Sequence, residues 1–281
     1  PALADVSNHL ARMRRQWFVA TNQNPLGWYA ALVGADPASL LAARCNDLPA
    51  NAQQLWVASP FHAMLGRDTV CLLPEIDFPW SEADSAWLCD ELNPLLEGDR
   101  MSLHVCGSAM LMASRVRLDA APAPFASVAG GLLPDRYPEG VDGGRLMRLL
   151  AEIQMTLHQQ QQPTRSGKPL VHGLWLWGAC DLPSELPVGL PPVATLNPAL
   201  QSLEHGHGAG LMMTEAEYLS ALLSSNPSAK KLPQSVLLAG CGHAVLLRKA
   251  LMPRFGKDWQ AGFPASEADL LQRLRRLADA L

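Results

Sequence analysis

Several things are scarce in this sequence, and each scarcity narrows what the chain can be. No apolar run approaches the ~18 residues that a membrane-spanning helix requires, so no membrane partner is expected. The six cysteines, Cys45, Cys71, Cys89, Cys106, Cys180 and Cys241, contain no C-x-x-C pair. Five of the six sit in apolar segments, which reads as reduced core cysteine, not as a disulfide frame or a structural zinc site. Sustained basic charge is also missing: the formal net charge is -4, the pI is about 6.1, and the one cluster, Arg273, Arg275 and Arg276, lies in a leucine-rich tail. Tracking phosphates needs a continuous basic surface, so no nucleic-acid partner is expected either. The opening residues Pro1 to Gln16 are polar and basic and lack the apolar centre of a secretory signal, which makes the cytoplasm the expected location.

What is present is core-forming material. Of 281 residues, 48% are hydrophobic and 17% charged, enough for one α/β domain over 1–281. The segment 183–192 carries four prolines and is the candidate sub-boundary.

Patterning predicts alternating helices and strands. Asn8 to Ala20 reads as an amphipathic helix on Leu10, Met13, Trp17 and Phe18, and Asp36-Pro37 opens a second helix over Ala38 to Cys45. Gln54 to Met64 and Thr69 to Leu73 form a candidate hairpin, as do Met101 to Cys106 and Ala109 to Ser114. Ser81 with Asp84 resembles a capping box ahead of a Leu-rich helix. Ala120 to Gly140 is rich in Pro, Gly and Ala and reads as a long loop. Gly144 to Gln160 has the cleanest helical spacing, with a second apolar stripe (Met147, Ala151, Met155) that implies burial on more than one side. Leu170 to Trp177 is apolar throughout, which suggests a central strand. Beyond it, Val193 to Leu196 and Ser235 to Ala239 read as strands, and Pro198 to Leu203 and Thr214 to Leu223 as helices. The fold class expected is α/β: one mixed sheet with N-terminal antiparallel hairpins, flanked by helices.

Residues able to carry chemistry have plainer explanations beside them. His205-Gly206-His207 could chelate a metal but lacks a third ligand, and a glycine-rich helix end explains the same letters, so no metal and no cofactor is expected. Cys241-Gly242-His243 follows a strand and is read as opening a helix, where the dipole would favour a thiolate; a small buried cysteine is the commoner case. On the helix 144–160, Arg148 with Glu152 and Gln154 with His158 are i,i+4 pairs, which suit a structural network or an anion pocket. Trp175 and Trp177 share one strand face, and each buried indole N–H needs an acceptor. The anion reading gathers Gln154, His158, Arg165 and His172 as ligand-binding residues, on the face away from both indoles. A helix C-terminus favours protonated His158, and Arg165 offers a planar fork for carboxylate or phosphate.

Leu149 to His158 (LLAEIQMTLH) followed by Leu170 to Gly178 (LVHGLWLWG) resembles a family of bacterial proteins known as regulators of pathogenicity factors, type E. Ala151 stands where that pattern has Asn, and Pro163-Thr164 directly precedes Arg165 where it has P-V-N-x-x-R. The W-L-W-G element and the stretch Val193 to Gly210 are also similar to archaeal-type cofactor-independent phosphoglycerate mutases, which implies a partly alkaline-phosphatase-like fold. The mutase metal motifs, Asp-Gly-x-x-Asp and Asp-His-Ser/Thr-Thr-Pro, are absent. The resemblance therefore implies a non-catalytic regulatory or interaction protein, with a small anionic metabolite or a protein as candidate partner. The alternative is a metal-dependent phosphomutase- or phosphatase-like enzyme acting on a phosphorylated or carboxylated metabolite.

Overall fold

The computed structural model describes residues 13–19, 24–45, 47–67, 69–73, 77–132, 138–160, 162, 168–183, 193–201, 203, 210–215, 218–221, 233–240, 243–249 and 265–278. The architecture is mixed α/β, with its strands in separate sheets. The chain divides into two compact units, Asp36–Pro187 and the pair of segments Pro1–Ala35 and Val188–Leu281.

The continuous unit is built on an antiparallel sheet. Strands β2 (Gln54–Phe61), β5 (Met101–Cys106), β6 (Ala109–Ser114) and β7 (Gly173–Asp181) lie in the order β5-β6-β2-β7. The expected hairpin at 101–114 is there, turning at Gly107, whose φ of +64° suits a residue without Cβ. The strand read from 54 to 64 breaks at His62, and β3 (Ala63–Leu65) with β4 (Val70–Leu72) makes a separate two-stranded ribbon.

Helix α1 (Pro25–Val33) belongs to the other unit. In this one, α2 (Pro37–Ala42) packs on β2, β6 and β7, α3 (Glu82–Leu96) on β5, and α5 (Gly143–Gln159) on β7. Helix α3 starts at a true capping box: Asp84 N–H donates to Ser81 Oγ (3.3 Å), and Ser81 N–H to Asp84 Oδ2 (2.9 Å). The stretch read as a loop over 120–140 contains a short helix, α4 (Phe125–Val128), and Ala121 bridges to Glu139.

Two expectations about this unit fail for identifiable reasons. Among the described strands, β7 is at the sheet edge, not its centre. Its apolar run reflects helices on its faces: a Cβ on Gly173 would meet Gln154 of α5, while one on Gly178 would meet Pro37 of α2. Between the pairs Leu55–Cys180 and Val57–Trp177, β7 fits two residues opposite one, a bulge that uses Gly178 at φ +62°. Helix α5 buries Leu146, Leu149, Leu150, Ile153 and Leu157 but leaves Ala151 and Met155 exposed, so it is covered on one face only.

The reading of all cysteines as reduced is corrected as well. Cys45 and Cys106 are joined, with their Cα atoms 4.7 Å apart. A pair this far apart in sequence leaves no spacing signal, because tertiary folding alone brings it together.

The second unit carries a mixed sheet, β1-β11-β10-β9-β8. Strands β8 (Ala194–Thr195), β9 (Leu211–Glu215) and β10 (Ser235–Gly240) run parallel; β11 (His243–Lys249) is antiparallel to β10 and to β1 (Met13–Val19). Strand 235–240 thus belongs here and not with the hairpins, contrary to the expected single sheet. Met13, Val236, Leu238, Val245 and Leu247 form a buried cluster against which Trp17 packs. The helix expected over 8–20 is instead β1 where described. Met13 and Trp17 are four apart, a spacing that places both on one face in either period. The helix expected after Cys241 is strand β11, and Thr214 lies in β9. Helix α6 (Pro198–Gln201) follows β8, and α7 (Glu267–Ala278) buries Leu270 and Leu274.

Candidate functional site

Three of the sequence candidates lie on α5 and at the start of β7, next to the β2–β3 corner. Gln154 and His158 are on α5; His172 immediately precedes β7. Arg165, His205, His207 and Cys241 lie outside the described residues. His243 is an exposed residue at the start of β11.

Gln154 lies directly against Gly173: a Cβ on that glycine would fall 2.8 Å from Gln154 Cγ and 2.6 Å from Phe61 Cζ. Glycine is required here by close approach and not by backbone angle. His158, exposed on the last turn of α5, is near enough for its charge to bear on His172.

Position 172 gains a neighbour that the sequence reading missed. The rings of His62 and His172 stack with centroids 4.4 Å apart and planes 26° apart. Each histidine is also tied to the other's strand end. His62 Nδ1 is 2.8 Å from Leu170 O, and since a carbonyl only accepts, His62 carries its proton on Nδ1. His172 Nδ1 is 3.0 Å from Ala63 N and 2.9 Å from Ala63 O. Unprotonated, that nitrogen accepts from the Ala63 N–H; protonated, it donates to the Ala63 carbonyl. Whether Nδ1 carries a proton, in the neutral tautomer or in the imidazolium, therefore decides which backbone group of Ala63 it holds.

The same segment is fastened from two further sides. The Gln162 side chain imitates a strand neighbour, donating to Val171 O (2.6 Å) and accepting from Val171 N–H (2.9 Å). Lys168 Nζ reaches Asp84 Oδ2 at 2.9 Å, linking the segment to the cap of α3.

Burial is the first cause that lowers the pKa of His172 below the ordinary 6.5, and the positive potential of His62 adds to it. The hydrogen bond to Ala63 opposes these effects, and His158 contributes a further lowering. Burial and the neighbouring imidazoles together disfavour the charged form of His172.

The tryptophans satisfy their N–H groups within the protein, Trp175 on Ala123 O (2.8 Å) and Trp177 on Ser59 Oγ (3.0 Å). Both indoles are buried, as core residues are. Among the described residues, no group of three or more His, Cys, Asp or Glu side chains is gathered to hold a metal ion. Nor is any described helix long and apolar enough to cross a membrane.

No signal in the sequence marks His62. It is an isolated histidine between two strands, and only the pairing of β2 with β7 brings it to His172.

No family model and no curated protein matches the sequence. Among solved structures, the chain has a weak overall likeness to two. One is PH0037 from Pyrococcus horikoshii, at TM-score 0.40 and 10% identity, over 97% of this chain and 89% of that one. The other is a cofactor-independent phosphoglycerate mutase from Thermoplasma acidophilum, at TM-score 0.35 and 12% identity, over 98% of this chain and 91% of that one.

Proposed function

We propose that the chain is a regulatory binding protein that takes up a small carboxylate or phosphate at His62, His158 and His172, with Gln154 as an uncharged hydrogen-bonding partner. The observation that carries this reading is the stacked imidazole pair, one member of which has its charged form disfavoured by burial and by positive neighbours. An anion supplies the missing counter-charge, so binding and proton uptake are coupled. Arg165, between His158 and His172 in sequence, remains the candidate for the ligand's planar contact. The resemblance of residues 149–158 and 170–178 to the type-E regulators supports a regulatory role for this site.

Calorimetric titration with inorganic phosphate and with acetate tests this, run in two buffers of different ionisation enthalpy. Expected is saturable binding that weakens as pH rises, with protons taken up from the buffer. The double variant His62→Ala/His172→Ala should lose it. Equal affinity in that folded double variant, or binding with no proton uptake, would sink the reading.

A further inference from the structure

Away from the histidine pair, on strand β5 of the same unit, three side chains form a line. Ser102 and His104 are two apart and share a strand face. Ser102 Oγ lies 2.7 Å from His104 Nε2, and His104 Nδ1 lies 3.4 Å from Asp47 Oδ1. His104 is 9% exposed, and its Nδ1 is buried with no hydrogen-bond partner among the described residues, so the nearby carboxylate is the group towards which that nitrogen can turn its proton. With the proton on Nδ1 facing Asp47, Nε2 presents a lone pair to the Ser102 hydroxyl. That is the order of groups that activates a serine oxygen.

The surroundings hold the line in place. Cys45 and Cys106, each two residues from a member of it, are joined, which pins the segment carrying Asp47 beside His104. Between Ser102 and His104, the Asn93 amide holds both backbone groups of Leu103, accepting from its N–H (2.6 Å) and donating to its carbonyl (3.2 Å). This fixes the outer edge of β5, which among the described strands pairs with β6 alone. Ser102 is half-buried and Asp47 is 72% exposed, so His104 between them is the most buried member of the line.

We propose that Ser102 is an activated nucleophile for acyl transfer from carboxylic esters, with His104 as its general base and Asp47 as the positioning residue. Ser102 Oγ bonds to the ester carbonyl carbon while its proton passes to His104 Nε2. The carbon–oxygen bond to the leaving group breaks, and the departing alcohol takes that proton. Water then attacks the acyl-serine, giving a proton to Nε2 that returns to Ser102 as the carboxylic acid leaves. Water is the only co-reactant, and the Nδ1–Asp47 distance shortens to a full hydrogen bond as the imidazolium forms. This activity is independent of anion uptake at His172.

The test is labelling of the full chain with a fluorophosphonate probe, with 4-nitrophenyl acetate turnover measured in parallel. The expected result is one adduct, mapped to Ser102 by peptide mass and absent in Ser102→Ala. His104→Gln should slow labelling at least ~100-fold, the size of a general-base contribution. Because His104 is buried, the decisive variants are at exposed Asp47: Asp47→Asn slows labelling at least ~10-fold and Asp47→Glu restores it. No adduct, an adduct on another residue, or an unchanged rate in Asp47→Asn overturns the proposal.

Discussion

The indole N–H of Trp177 donates to the hydroxyl of Ser59 at 3.0 Å, joining neighbouring strands β7 and β2 inside the core. Removing the ring should destabilise the fold by roughly 3–5 kcal/mol, the usual cost of truncating a buried aromatic. Ser59→Ala strands the N–H without its acceptor and should cost about 1–3 kcal/mol. Urea denaturation of both variants checks the ranking. A Trp177→Ala loss below about 1 kcal/mol would place the indole outside the core.

Gly173→Ala introduces a methyl group where Phe61 Cζ and Gln154 Cγ already stand, at 2.6 and 2.8 Å from the ideal position. Overpacking of this kind costs about 1–3 kcal/mol. Because the displaced groups adjoin His172, the same substitution should change the His172 ring resonances in a proton NMR spectrum.

Stability should depend on pH through His172. Its folded pKa is lowered from 6.5, so between the two values the unfolded chain binds more protons than the folded one. The sign follows: this contribution is fully present above pH 6.5 and is lost as pH falls below it. Urea midpoints at pH 7.5 and pH 5.0 should differ more for the parent protein than for His172→Gln. A saturating anion should narrow the parent's gap.

The Cys45–Cys106 link closes a loop with a sequence separation of 61, and its removal should cost about 2–5 kcal/mol. Alkylation and mass measurement before and after treatment with a dithiol should show two extra reactive thiols after reduction. A Cys45→Ser/Cys106→Ser variant should melt lower and show no such change.

These tests fall on parts of the chain that were unequally legible in its sequence. Ser81 and Asp84 announce their cap because the motif is local, and the 101–114 hairpin is legible because Gly107-Ser108 separates two apolar runs. Met13 and Trp17 could not decide between helix and strand, since a separation of four fits both. The unbroken apolar run of β7 reported burial of both faces but not its place at the edge. At the candidate site, Gln154, His158 and His172 are visible in one patterned stretch, whereas His62 depends on strand pairing. Ser102 and His104 share a face of a strand that the sequence already indicates, but Asp47 reaches them only through tertiary folding.

The two units also differ in how the chain supplies them, and this sets an order of assembly. Asp36–Pro187 is continuous, so every partner in its sheet has been made by the time residue 187 is added. Strand β1 pairs with β11, Val19 opposite His243, so this pairing cannot form until β11 has been made. At roughly 5–20 residues per second, that wait is on the order of tens of seconds during synthesis. Phe18, fully buried in the finished fold, lies in this waiting strand. The continuous unit can therefore complete its sheet first, whereas the sheet of the flanking segments waits for β11.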